Sequence, residues 1–241
     1  DVSFDVGLTT TGGPSALVDV MTVASCPDEG WVVAWDALGR IRWYQQLSDA
    51  DQVVNMFEYT TNDTLLAIVG QETVVEVDLA GTVLLSASDF PLPLHHDISR
   101  RADKIWVLMA DATVASNGQR YVQDLVVTLD VAGVELARWD QADHLDPTLS
   151  TGGLGQFWED EFPGAIDAWH TNAMSVQDDE SFVVSLEKEH TLANVVNGEI
   201  VWFFDGDGID GAYESDVTFL PGGGDPQFGG EHRFNKYAEV G

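Results

Sequence analysis

The chain has 241 residues, 44% of them hydrophobic, which suffices for one sizeable β domain or two small ones. Asp and Glu total 41 against 10 Lys and Arg, and the net charge of -31 argues against nucleic acid and anionic membranes as partners. No apolar run approaches the roughly 20 residues of a membrane-spanning helix, so we expect no membrane insertion.

The N-terminus and the cysteine content bear on the cellular compartment. The chain opens at Asp1 without an initiator Met, which is consistent with a processed N-terminus. Cys26 is the only cysteine, so no disulfide can form within the chain and the redox compartment stays open. The acidic composition fits a secreted protein or a saline habitat.

A hairpin motif recurs along the chain: an apolar strand, Asp, two residues, Gly, and a strand that often ends in Trp. It is found at 32–43, 74–85, 125–139 and, in degenerate form, 192–202. Asp favours the start of such a turn by bonding nearby backbone amides, and Gly supplies positive φ at its end. Other strand-like runs lie between the hairpins, and no amphipathic helix longer than two turns is predicted.

The spacing of the hairpins predicts an all-β fold, a β-propeller of four-stranded blades. The turn glycines Gly39, Gly81, Gly133 and Gly198 are 42, 52 and 65 residues apart, and propeller blades repeat every 40 to 50 residues. A β-sandwich of four hairpins is the alternative. The stretched third interval contains a Gly-rich, aromatic insertion at 150–163, predicted to be a loop at one face of the disc.

We expect a single domain over 1–241, with entry strands in 1–29 and blades over 30–241. About four blades and the start of a fifth, at 227–237, do not close a six-bladed ring. Open edges are generally avoided, so another chain or a missing C-terminal segment is expected to complete the ring.

The first candidate site motif is His95-His96-Asp97, which follows a proline-rich extended segment. Neighbouring residues on a strand point to opposite faces, so only one of the two histidines is expected to face a given axis. We favour His96 as the functional one, with His95 either buried or bonded to a neighbouring loop and Asp97 available to orient an imidazole. The alternative is a pair of histidines that bond loop carbonyls.

Two further motifs carry histidines. His170 and Asn172 are two residues apart, so on an extended segment they share a side, and an imidazole beside an amide suits an anionic oxygen. Glu231-His232-Arg233 follows a glycine pair, and Glu231 would raise imidazole basicity while Arg233 binds an oxyanion. Polar loop contacts are the alternative for both motifs.

The other polar clusters are weaker candidates. His144 and His190 are interpreted as structural residues. Asp205, Asp207 and Asp210 resemble half of a calcium-binding loop, but the bidentate Glu at the twelfth position is missing. Calcium is therefore a weak candidate, an exposed acidic turn is the alternative, and no other metal is predicted.

Taken in order, these motifs resemble the arylsulfotransferase family of PAPS-independent aryl-sulfate sulfotransferases. The resemblance covers roughly 30–237 and is carried by 95–98, 126–139, 143–146, 169–175, 178–185, 198–202 and 228–232. It implies a six-bladed propeller, periplasmic or secreted, with its site at the central channel. It also implies transfer of a sulfuryl group from a phenolic sulfate ester to a phenol through a sulfated histidine, without PAPS or a metal.

The resemblance also assigns roles by position. His232 would be the nucleophile, His96 and His170 would bind sulfuryl oxygens or exchange the phenolic proton, and Asn172 would donate to an oxyanion. We add His95, Lys188 and Arg233 to the predicted substrate-binding residues.

The chain departs from the family at two positions. The arginine that usually follows the His-x-Asn motif is replaced by Glu187, with Lys188 next to it, and a Gln before the last histidine is replaced by Glu231. Added carboxylates weaken anion binding. Either Lys188 or Arg233 takes over, or the substrate has changed, or the reaction is lost.

Two other readings therefore stay open. One is a non-catalytic extracellular propeller that has kept the histidines. The other is a metal site of His96, His170 and His232 with Glu231 or Asp97 as an oxygen ligand, a set that suits zinc, copper or iron.

Overall fold

The computed structural model describes residues 20–26, 29–36, 38–48, 52–150, 152–154 and 156–205. In these ranges every regular element is a β-strand or a three-residue 3-10 helix. Consecutive strands pair antiparallel in each sheet, and each sheet after the first has four such strands, one of these sheets with a short fifth strand added. This confirms the predicted all-β class with its four-stranded blades.

The chain divides into two compact units at Phe90. The first unit holds two sheets. They consist of β1 (Val20–Cys26), β2 (Glu29–Trp35) and β3 (Ile41–Ser48), and of β4 (Val54–Tyr59), β5 (Thr64–Val69), β6 (Thr73–Asp78) and β7 (Val83–Ala87).

The second unit begins at Pro91 and also holds two sheets. One consists of β8 (Leu94–Arg101), β9 (Lys104–Val114), β10 (Arg120–Leu129) and β11 (Glu135–Asp140), with the short β12 (Ile166–Asp167) parallel to β10. The other consists of β13 (Thr171–Val176), β14 (Phe182–Leu186), β15 (Thr191–Val196) and β16 (Glu199–Asp205). The 3-10 helices are Gln141–Asp143, Pro147–Leu149, Gln156–Trp158 and Glu187–Glu189.

The predicted Asp-x-x-Gly turns are confirmed. In Asp78, Oδ1 accepts hydrogen bonds from the amides of Ala80 and Thr82, at 2.9 and 2.8 Å. Gly81 has a φ of 85° and donates its amide to the Asp78 carbonyl. The same pattern recurs in the turns that begin at Asp36 and Asp130. The side chain thus satisfies two turn amides, and glycine meets the demand for positive φ.

The tryptophans that end the repeats join neighbouring sheets within a unit. Nε1 of Trp43, on β3, donates to the Leu79 carbonyl in the β6–β7 turn at 2.9 Å. Nε1 of Trp139, on β11, donates to the Gly198 carbonyl in the β15–β16 turn at 3.0 Å. The recurrence of Trp at this place is therefore explained by a sheet-to-sheet hydrogen bond.

The aromatic insertion contains the 3-10 helix Gln156–Trp158 and packs against the β8–β11 sheet. Trp158 is 1% exposed, and it packs with Phe162 against Ala110 and Val122 of β9 and β10. Gly152 permits the close return of the chain, because a Cβ there would lie 2.0 Å from the Asp167 carbonyl oxygen. The segment therefore covers one end of the β8–β11 sheet, where the site motifs lie.

Candidate functional site

His95 and His96 lie at an irregularity in β8. The register with β9 shifts between His95 and Ile98, and His96 has a left-handed φ of 49°. The two Nδ1 atoms lie 3.0 Å apart, so the rings meet instead of pointing to opposite faces. The strict alternation expected of these histidines was wrong, because a bulge with a left-handed residue interrupts it. His95 is buried, one of the two alternatives predicted for it.

His170 lies at a similar irregularity beside β13. It has a φ of 50°, and the register of β13 with β14 shifts between Thr171 and Ala173. The extended geometry assumed for His170 and Asn172 is therefore absent. The rings of His96 and His170 meet edge to face, with centroids 4.8 Å apart. Three of the predicted site residues, His95, His96 and His170, thus form one cluster.

Two buried carboxylates that the sequence analysis missed flank the cluster. Asp167 Oδ2 lies 2.7 Å from His170 Nδ1. Asp124 Oδ1 lies 3.3 Å from His95 Nε2, and its Oδ2 accepts the Thr171 amide at 2.7 Å. Asp124 interrupts the apolar run of β10, and a charged residue at the centre of an apolar strand is the signal that would have revealed it.

Asp97 holds two strands together. Its Oδ1 accepts the Ile98 amide and its Oδ2 the Met174 amide, both at 2.9 Å. Both bonds go to backbone groups, one on β8 and one on β13. Asp124 and Asp167 each have a carboxylate oxygen close to an imidazole nitrogen, at 3.3 and 2.7 Å.

Burial and charge set the ionisation of the cluster. Burial, together with the charge of His96, holds the pKa of His95 well below its usual value. Burial and the charge of Asp167 raise the pKa of Asp124 to about 7, against the Thr171 amide, which favours the carboxylate. Burial opposes a charge on His170, but the hydrogen bond and the charge of Asp167 outweigh it and raise the His170 pKa. His170 is thus the imidazole best suited to carry positive charge.

The side-chain amide of Asn172 is a candidate hydrogen-bond donor to a ligand. It is 1% exposed, and within the described residues neither its Nδ2 nor its Oδ1 has a hydrogen-bond partner. A buried amide without partners costs roughly 1–3 kcal/mol. A ligand oxygen at Nδ2 would recover part of that cost.

The aromatic insertion supplies the apolar wall of the site. Trp158 packs edge-on against His95, with centroids 5.2 Å apart. Phe157 is 53% exposed, and its ring centroid lies 5.9 Å from that of His96 and 6.1 Å from that of His170. Sequence reasoning did not identify Phe157, because nothing local shows that the insertion folds onto the histidines.

Glu187 and Lys188 lie next to the cluster and are paired with each other. The Lys188 amide donates to the Trp169 carbonyl at 3.0 Å, which brings this segment beside His170. Lys188 Nζ lies 2.8 Å from Glu187 Oε2. That oxygen is also without an aligned hydrogen bond, so we regard the contact as an ion pair. The Lys188 charge acts to lower the His170 pKa.

Several predicted residues fall elsewhere. Glu231, His232, Arg233, Asp207 and Asp210 lie outside the described residues, and Asp205 is the last residue of β16. His144 stacks on Trp139 with centroids 5.1 Å apart, and His190 follows the last 3-10 helix.

The described residues contain neither a metal-binding cluster nor a membrane-spanning helix. Within the part of the chain that the structure describes, no group of three or more His, Cys, Asp or Glu is arranged to hold a metal ion. No helix in that part is long and apolar enough to cross a membrane.

Comparison with known proteins gives a family and distant structural neighbours. A family model described as arylsulfotransferase (ASST) matches residues 11–236. No curated protein matches the sequence significantly. Among solved structures, BamB from Moraxella catarrhalis is 12% identical with a TM-score of 0.41, and the match covers 76% of this chain and 48% of that chain. The chain thus spans about half the length of BamB.

Two lyases are similar at the same level. A streptogramin B lyase is 11% identical with a TM-score of 0.39, covering 77% of this chain and 72% of that chain. Virginiamycin B lyase from Staphylococcus aureus is 10% identical with a TM-score of 0.39, covering 77% of this chain and 68% of that chain.

Proposed function

The chain belongs to the arylsulfotransferase family, and we propose that it transfers a sulfuryl group from a phenolic sulfate ester to a phenol through a sulfated histidine. The observation that carries the proposal is the cluster of His95, His96 and His170. Asn172, two residues after His170, adds a buried side-chain amide without hydrogen-bond partners among the described residues. His232, outside the described residues, is the proposed nucleophile on the strength of the family resemblance.

The chemistry asks for positioning and charge stabilisation more than for bond-making by the protein. Sulfuryl transfer resembles phosphoryl transfer in this respect. His170, whose pKa is raised by Asp167, supplies positive charge to the sulfuryl oxygens. Asn172 donates to the same oxygens, and His96 exchanges the proton of the phenol. His95 contacts the substrate only through His96, so we now place it behind the binding surface.

The phenolic ring needs an apolar contact, and Phe157 is the proposed one. Its exposed ring lies beside both His96 and His170. Aromatic rings pack well edge to face or offset at such distances. Replacing Phe157 with Ala should raise KM for aryl sulfates more than it lowers kcat, as steady-state kinetics would show; an unchanged KM would contradict this contact.

The remaining assignments complete the proposal. Lys188, and Arg233 outside the described residues, take the part of the missing arginine in anion binding. The reaction uses no PAPS and no metal, and the calcium candidate at Asp205, Asp207 and Asp210 has no part in it. The protein acts in the periplasm or outside the cell.

The test is turnover of a chromogenic donor. The full chain should release nitrophenol from 4-nitrophenyl sulfate faster when a phenol is added, and mass spectrometry should detect the sulfated acceptor. His170→Ala should lower the rate by roughly 10²-fold or more, by loss of one electrostatic contact. His144→Ala is the matched control, because His144 stacks on Trp139 and makes no ring contact with the cluster.

Glu187 favours a second candidate, a non-catalytic module, because it places a carboxylate where an anion would bind. A folded chain that binds aryl sulfates or phenols without any turnover would decide for that candidate. Stoichiometric metal in the purified protein, lost from His170→Ala but not from His144→Ala, would decide for a metal site.

A further inference from the structure

Five ionisable side chains follow one another through the site. Asp124 Oδ1 lies 3.3 Å from His95 Nε2, and His95 Nδ1 lies 3.0 Å from His96 Nδ1. The His96 and His170 rings are 4.8 Å apart between centroids, and His170 Nδ1 lies 2.7 Å from Asp167 Oδ2. A buried carboxylate therefore lies at each end of a row of three imidazoles.

The contact between Asp124 and His95 is within ion-pair distance but lacks hydrogen-bond alignment. Both atoms are buried, and neither has a hydrogen-bond partner among the described residues. Buried polar atoms without partners are costly, which favours a polar interaction between the two atoms at this distance.

We propose that Asp124 and His95 form a proton relay that switches His96 Nε2 between general acid and general base in the two halves of the transfer. The inference rests on the proposed function. With Nδ1 of His96 engaged by His95, any proton exchanged between His96 and a substrate uses Nε2.

The relay follows from the rules of hydrogen bonding between neutral imidazoles. One proton lies between the two Nδ1 atoms, so one ring donates and the other accepts. When Asp124 is ionised, the single proton of His95 is on Nε2, His96 Nδ1 donates, and His96 Nε2 is a base. When Asp124 is protonated, it donates to His95 Nε2, His95 Nδ1 donates to His96, and His96 Nε2 carries a proton as an acid.

The protons balance over a full cycle. In the first half, the S–O bond of the donor ester breaks, an N–S bond to the nucleophilic histidine forms, and His96 Nε2 gives its proton to the leaving phenolic oxygen. Protons then move from His95 Nδ1 to His96 Nδ1 and from Asp124 to His95 Nε2. In the second half, the acceptor phenol gives its proton to His96 Nε2 as its oxygen bonds sulfur and the N–S bond breaks. The same protons return to His95 and Asp124.

The electrostatics of the cluster support this exchange. Burial and the charge of His96 hold the pKa of His95 well below its usual value, against a backbone hydrogen bond with Met109, so His95 stays neutral during the proposed exchange. Burial and Asp167 raise the pKa of Asp124 to about 7, so both of its states are populated at neutral pH. The charged groups that act on Asp124 are Asp167 from β12 and His170 from the start of β13; the Thr171 amide favours its carboxylate.

The direct test is nitrogen NMR of histidine in the wild-type chain, which needs no substrate. As the pH rises through about 7, where Asp124 loses its proton, His95 should change from the Nδ1–H to the Nε2–H tautomer while staying neutral. In Asp124→Asn, the amide group should donate to His95 Nε2 and hold the Nδ1–H tautomer at every pH. A wild-type His95 that keeps one tautomer, or becomes an imidazolium, would overturn the relay.

The kinetic test compares aryl sulfates whose leaving phenols differ in pKa. Asp124→Asn leaves a proton on His96 Nε2 but cannot pass on a proton to replace the one that His96 gives up. It should therefore lose roughly 10²-fold or more with poor leaving groups, the usual contribution of general acid catalysis, and much less with 4-nitrophenyl sulfate. Asp97→Asn is the matched control, because Asp97 is a buried carboxylate that binds backbone amides. It should affect all donors equally.

The two failures are distinguishable. If Asp124→Asn has the same leaving-group dependence as the wild type, the relay is wrong while the transfer reaction stands. If the wild type turns over no aryl sulfate, the proposed function is wrong, and the NMR titration still decides whether the relay exists.

Discussion

Left-handed backbone at two histidines creates the site. His96 and His170 have φ of 49° and 50°, values that cost a residue with a side chain about 1–2 kcal/mol. Each lies where a strand loses its register with its neighbour. The irregularities turn the two rings toward each other. Backbone strain is therefore located at the residues where the chemistry is proposed to occur.

Two substitutions at position 96, one to glycine and one to alanine, test this backbone strain. His96→Gly should be more stable than His96→Ala by about 1 kcal/mol, because only glycine adopts positive φ without a Cβ penalty. Urea unfolding measures the difference. The order should reverse at Ile98, which pairs regularly with β9, and the same order at both positions would contradict the explanation.

The Asp167–His170 pair predicts a pH dependence. Asp167 raises the His170 pKa above its usual 6.5, so the imidazolium and its anion contact persist to higher pH and are lost as the pH rises through the raised value. In Asp167→Asn, the rise of KM for an aryl sulfate should therefore begin at lower pH. A pH profile of KM unchanged from wild type would show that His170 does not bind the anion as a cation.

The residues of the site were only partly predictable from the sequence. The histidines stand out as polar residues at strand ends, but their contacts depend on bulges set by the partner strand. Phe157 reaches the cluster through a chain segment distant from His95 and His96, so no local pattern indicates it. Asp167 precedes His170 by only three residues, but its contact with the ring depends on the left-handed backbone at His170.

At the scale of elements, the hairpins were the predictable part of the fold. The Asp-x-x-Gly turn is satisfied by its own side chain, as the Asp78 bonds show, so it forms wherever the local sequence allows. The Gln156–Trp158 segment was not predictable, because it is held by packing against β9 and β10. Local hydrogen bonding can be read from the sequence, while packing between distant segments cannot.

The tryptophan contacts between sheets give a prediction at this scale. Trp139→Phe removes the hydrogen bond to the Gly198 carbonyl and leaves that oxygen without its partner. It should cost about 1 kcal/mol more than Trp106→Phe, because Trp106 is equally buried but its Nε1 has no partner among the described residues. Chemical denaturation measures both, and equal costs would mean that packing alone joins the sheets.

At the scale of the whole molecule, the net charge of -31 opposes the binding of the anionic substrate that we propose. A strongly acidic protein repels a sulfate ester at long range, although salt limits that repulsion to roughly 10 Å at 0.1 M. Under the proposed function, local groups must therefore attract the anion. The cluster supplies His170, whose pKa is raised, and Lys188 next to the cluster is a cation that also pairs with Glu187. The net negative charge thus acts on an anionic ligand at long range, whereas the histidine cluster acts on it at contact distance.

The most direct measurement of the central claim is mass spectrometry of the chain after reaction with an aryl sulfate in the absence of an acceptor. We expect one sulfuryl group on His232, lost on addition of a phenol as the sulfated phenol appears. The adduct should form at least 10²-fold more slowly in His170→Ala, by loss of one electrostatic contact. Phenol release without any histidine adduct, or an adduct that added phenol does not discharge, would contradict the proposed transfer.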